Sequence, residues 1–129
     1  MNIHVLTIPN DEIRKRAGFT GADWWFDEND DIQIRVAQMS CREREMALAI
    51  HEAVEAVICH FHHVDVANVD AFDAHFEKMH PENHGLDAGD APHCPYGREH
   101  MAATACERVV AMEIGVGSWK EYDDEVGKL

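Results

Sequence analysis

Residues 47–63 read ALAIHEAVEAVICHFHH, and how this stretch winds decides what the rest of the chain must do. It holds no Gly and no Pro. Met46, Ile50, Val54, Val57 and Phe61 recur at spacings of three and four, the period of an amphipathic helix and not of a strand. At about 100° per residue, His51 and Glu55 fall one turn apart on the same face, with Glu52 beside them. Two ligand-type residues at i and i+4, with a carboxylate directly after the first, are how one helix carries a zinc hydrolase site. His51 and Glu55 are therefore expected to hold a metal ion. Glu52 is expected to take a proton from the water that the ion activates.

Upstream, residues 2–8 alternate and are rich in Ile, Val and Leu, so they predict a short strand ended by Pro9. Asn10 or Asp11 can cap a brief helix through Arg16, with Gly18 as its stop. Residues 22–26 and 31–39 predict two strands joined by the polar turn DENDD, a hairpin signal. Trp24, Trp25 and Phe26 are expected to form core and rim of this small sheet. Ser40, with Glu43 three residues on, has the spacing of a capping box for the central helix, which should reach about His62. His60, His62 and His63 cluster at its end. About 10 Å of axial rise separates His62 from Glu55, so one ion is not expected to take both.

Downstream, residues 64–79 predict a helix whose buried side is Val66, Val69, Phe72 and Phe76, with Asp70 and Asp73 flanking that stripe. Residues 80–97 carry Pro or Gly every few positions and predict a loop or lid holding His84, His93 and Cys94. Residues 98–115 return to helix. There His100, Ala103, Glu107, Ala111 and Ile114 share one side, and its small or apolar character turns His100 and Glu107 inward. Buried ionisable groups need partners or a metal. Ser118 caps a last short helix to about Val126.

The chain has 129 residues, of which 46% are hydrophobic, which suits one globular domain over residues 1–129. Its formal charge of −14 argues against nucleic acid or an anionic membrane as partner, both being polyanions. No signal peptide and no apolar run of transmembrane length is evident. Cys41, Cys59, Cys94 and Cys106 form no CxxC pair and are read as reduced thiols in a cytoplasm.

A hairpin, then a helix bearing His-Glu-x-x-ligand, then a later helix with a further ligand resembles the minimal zincin metallopeptidases. The likeness covers the layout of residues 24–115 and is specific at His51, Glu52 and Glu55. The chain is also similar to small phage and prophage proteins with HE-x-x-E followed by REH, here Arg98, Glu99 and His100. The resemblance implies His51 and Glu55 as ligands, Glu52 as general base, and His100 as third ligand from a separate helix. Glu55 stands where the family more often has His, and an extra carboxylate hardens the site.

The expected fold is thus α+β and zincin-like: a small antiparallel sheet, made of the N-terminal strand and the hairpin, on three main helices. One divalent ion, zinc by its ligands, would sit on His51, Glu55 and His100 with an open fourth position for a peptide or protein substrate. Two other readings compete. One is a binding or regulatory protein whose metal is structural, its fourth position closed by Asp73, Glu107, His93 or Cys94. The other is an all-helical nucleotide hydrolase with Glu52, Glu55, Asp70 and Asp73 around magnesium.

Overall fold

The structure is a computed structural model that describes residues 1–17, 21–80 and 85–129. Gly18 and His84, named above as a helix stop and a loop residue, lie outside the described residues. In chain order come β1 (Ile3–Ile8), α1 (Asn10–Ala17), β2 (Ala22–Phe26), β3 (Ile32–Ala37), α2 (Arg42–Phe61) and α3 (Val66–Met79). A single 3-10 turn (Ala88–Asp90), α4 (Gly97–Ile114) and α5 (Trp119–Val126) follow. The fold is α+β, so the all-helical alternative fails.

The sheet corrects one expectation. Its order is β1-β3-β2, with β2 antiparallel to β3 but β1 parallel to β3, so it is mixed and not antiparallel throughout. The polar turn builds the hairpin as expected: Asp27 Oδ1 accepts from the backbone N–H of Asn29 and of Asp31. β1 is joined to β2 through α1 and pairs on the far side of β3. That puts Ile32, Ile34 and Val36 of β3 at the centre, fully buried, and leaves β2 as an edge.

α2 packs against both the sheet and α4. Its inward residues are Ala47, Leu48, Ala49, His51, Glu55, Ala56 and Cys59. Met46 and Phe61, part of the apolar stripe that predicts the helix, are 43% and 70% exposed. Small side chains let α2 lie close to α4, where Ala103 and Ala111 are also fully buried. The capping box does not form. Ser40 gives its N–H and hydroxyl to Glu125 instead, Cys41 precedes the helix without a side-chain cap, and the backbone N–H of Met39 bonds Glu45.

α3 is shallower than its pattern suggests, since Val69 alone is buried. On α4, His100, Ala103, Glu107 and Ala111 do turn inward, whereas Ile114 is 39% exposed. Gly115, in the left-handed region at φ 81°, ends that helix, and Ser118 caps α5 through the N–H of Glu121. All four cysteines are free thiols. No helix among the described residues is long and apolar enough to cross a membrane.

Candidate metal centre

His51 and Glu55 come from the inward face of α2 and His100 from the first turn of α4, where these two helices pack together. Their exposures are 6%, 5% and 5%. Oε2 of Glu55 lies 2.9 Å from Nδ1 of His100 and 3.3 Å from Nε2 of His51, and the two nitrogens are 3.1 Å apart. Ligands bonded at about 2.0–2.1 Å to a tetrahedral ion stand about 3.3 Å from one another. The three separations are close to that value, and two imidazole nitrogens with one carboxylate oxygen suit a divalent transition ion. These residues can therefore hold a metal ion together.

Each of the three side chains is held from behind. Trp24 on β2 donates its indole N–H to Oε1 of Glu55 at 2.9 Å, which leaves Oε2 to the histidines. His51 donates from Nδ1 to Oε2 of Glu107 at 2.9 Å, and Tyr122 of α5 donates its hydroxyl to the other oxygen of Glu107. Nε2 of His100 faces Oδ1 of Asp90 at 3.4 Å and Oδ2 of Asp87 at 3.7 Å. Carboxylates behind imidazoles fix the tautomer and turn the opposite nitrogen toward the ion. Gly89 closes the third side. A Cβ placed on it would lie 2.3 Å from Cγ and 2.4 Å from Nδ1 of His100, so the turn can lie on the ring only because residue 89 is Gly.

The electrostatics match this geometry. Burial opposes charge on His51, but its bonds to Glu107 and Glu55 prevail and push its pKa up to about 11. His100 also rises against the pull of burial, through Glu55 and Asp87. Glu55 is held well below the usual carboxylate range, because bonds to His100 and His51 outweigh its burial. Glu52 goes the other way: burial and the neighbouring charge of Glu55 push its carboxyl well above the ordinary value. A cation bound by these side chains would compete with the protons that the raised imidazole pKa values favour.

His51, Glu55, His100 and Glu52 line a cleft of about 1010 Å³. Its walls include Trp24 of β2, Asp70 and Asp73 of α3, Asp87 and Asp90 of the 3-10 turn, and Arg108 of α4. Asp73 accepts from the hydroxyl of Tyr96, and burial with the charge of Glu55 raises its pKa to about 7.

The remaining candidates fall elsewhere. Among the described residues, no cluster of potential metal ligands includes His93, Cys94, Asp73 or Glu107. Glu107 meets His51 on the ring edge away from Glu55. Cys94 is half-buried and His93 exposed. His62 bonds Glu99 at 2.7 Å and so ties the end of α2 to the start of α4. Sequence reasoning missed Trp24, Tyr122, Gly89, Asp87 and Asp90 as supports of the site. The Gly and Asp content of the 85–90 segment is a weak signal for Gly89, Asp87 and Asp90, and nothing local marks Trp24 or Tyr122. No protein-family model, curated protein or solved structure matches the chain.

Proposed function

We propose that the chain is a zinc-dependent hydrolase of zincin type that breaks the C–N or C–O bond of an amide or ester by adding water at its carbonyl, a peptide bond being the first candidate. The observation that carries this reading is the convergence of His51, Glu55 and His100 on one point of a cleft that Glu52 also lines. The resemblance to minimal zincins and to small phage proteins supports the same roles. Zinc held there supplies Lewis acidity, which polarises a carbonyl and makes a water acidic. Glu52 accepts the proton of the attacking water and passes it to the leaving group. Burial, more than the charge of Glu55, opposes its ionisation, and a cation on the triad would favour its ionised, proton-accepting form. Trp24 and Glu107 keep Glu55 and His51 in the ligating orientation, and the buried floor limits bulk water.

Zinc content of the purified protein, with stoichiometry, and hydrolysis of a broad peptide library test the reading together. About one zinc per chain is expected, lost in His51→Ala. Glu52→Gln should keep the zinc and lose hydrolysis, because Gln has nearly the shape of Glu but cannot take the proton. Loss of zinc in Glu52→Gln would make Glu52 a ligand and end the general-base assignment.

A further inference from the structure

The cavity and the three converging ligand atoms mark the site; the side chains around them set the charge of what can enter. Ten of the lining residues are Asp or Glu and two are Lys or Arg. The whole chain has 25 acidic and 11 basic residues. Counted formally, with every carboxyl ionised and His neutral, the cleft holds eight of the fourteen excess negative charges of the chain. Arg108 and Asp123, both in the lining, answer each other, Arg108 giving Nη2 to both carboxylate oxygens at 2.8 and 3.0 Å, which leaves nine acids against Lys78.

The acids are spread along the walls. Asp70, Asp73 and Glu77 line one side at spacings of three and four along α3, and Asp87 and Asp90 stand on another. A dication on the triad offsets two charges and leaves the walls negative. Low-dielectric walls of one sign focus the field and raise the local concentration of opposite charge, while like charge is repelled. The cleft volume is at the upper end of small-molecule sites, about 300–1,000 Å³, so a stretch of chain fits it better than a small amine.

We infer that the substrate is a cationic polypeptide segment, with Lys or Arg side chains beside the bond to be cut. This inference rests on the hydrolase reading. An extended segment lays its side chains toward both walls, so Lys or Arg near the scissile carbonyl meets the α3 carboxylates. An acidic segment of the same length meets like charge there.

Two measurements separate this inference from the hydrolase reading. The first is kcat/KM of the zinc-loaded protein on three fluorogenic peptides of one length, flanked by Lys and Arg, by neutral residues, or by Asp and Glu. The cationic peptide should exceed the neutral one about 10-fold, with the gap shrinking as salt is added. The second is binding of the same peptides to zinc-loaded Glu52→Gln protein. Asp70→Asn with Glu77→Gln in the wall should weaken binding of the cationic peptide about 5–10-fold, mostly as KM in the active protein. Glu28→Gln with Glu113→Gln, the same charge change at exposed positions away from the cleft, should leave it unchanged. Equal cutting or binding of all three peptides, or equal effects of the two double variants, overturns the inference. If no peptide is cut but the wall variant alone weakens cationic binding, the hydrolase reading falls and the charge preference stands.

Discussion

Glu107 accepts a hydrogen bond from Nδ1 of His51 at 2.9 Å, and this places Nε2 of the same ring beside Glu55 and His100. Fifty-six residues separate the two partners. With Nδ1 carrying the proton, Nε2 has the lone pair that a metal needs, so Glu107 would act on a bound ion through His51. Tyr122 in turn holds Glu107.

Removing that support should cost metal affinity without removing a ligand. Glu107→Ala is expected to weaken zinc binding about 10–100-fold, the usual penalty for losing a carboxylate behind a ligating imidazole. Glu107→Gln keeps an acceptor for Nδ1–H and should lose less. Competition against a zinc-chelating dye measures both. Equal affinity in Glu107→Ala and the parent would mean that helix packing alone orients His51.

The helix carrying the motif was readable because periodicity and the absence of Gly and Pro are local properties. Its buried face was not. The large apolar residues Met46 and Phe61 point the pattern one way, yet the helix buries Ala47, Ala56 and Cys59 together with two ionisable side chains. Polar burial of that kind depends on partners such as Trp24, Glu107 and His100, which lie far along the chain and leave no periodic trace. Ser40 fails as a cap for the same reason: Glu125, 85 residues away, takes its hydroxyl. The strand β1 was readable as a strand, but its parallel pairing depends on which edge of the hairpin stays free. His51, Glu52 and Glu55 carried their spacing in sequence, and the face of its helix turned His100 inward, whereas its role as third ligand came from the resemblance alone.

Asp73 gives a pH test that does not involve a ligand. Burial, with the charge of Glu55, lifts its folded pKa from an ordinary 3.8 to about 7, although the bond from Tyr96 pulls the other way. A carboxyl with a raised folded pKa binds its proton more tightly in the native state. Its contribution is therefore favourable below about 4, falls as pH rises toward about 7, and is a constant cost above that. Asp73→Asn keeps an acceptor for the Tyr96 hydroxyl and cannot ionise. Metal-free Asp73→Asn should gain on the parent between about pH 4 and 7, reaching roughly 1–3 kcal/mol at pH 8. Thermal melts across that range read the difference, and parallel curves for the two proteins would count against it.

The last test concerns Gly89. The 3-10 turn lies flat against the ring of His100, and the missing Cβ makes room for that contact. Gly89→Ala places a methyl group inside the imidazole, so either the turn lifts or His100 swings off the triad. Asp87 and Asp90 move with the turn, and Nε2 then loses the carboxylates that face it. Overpacking of this kind costs about 1–3 kcal/mol in the metal-free protein. A displaced His100 adds a separate effect, the loss of zinc-induced stabilisation. In the parent, zinc at 100 times its dissociation constant should stabilise by about 2.7 kcal/mol. Melts with and without zinc should show that gain in the parent and little of it in Gly89→Ala. Asp90→Asn, which leaves the contact with the ring intact, should keep most of it. If Gly89→Ala melts lower but responds to zinc like the parent, His100 has stayed on the triad. The turn would then serve packing alone.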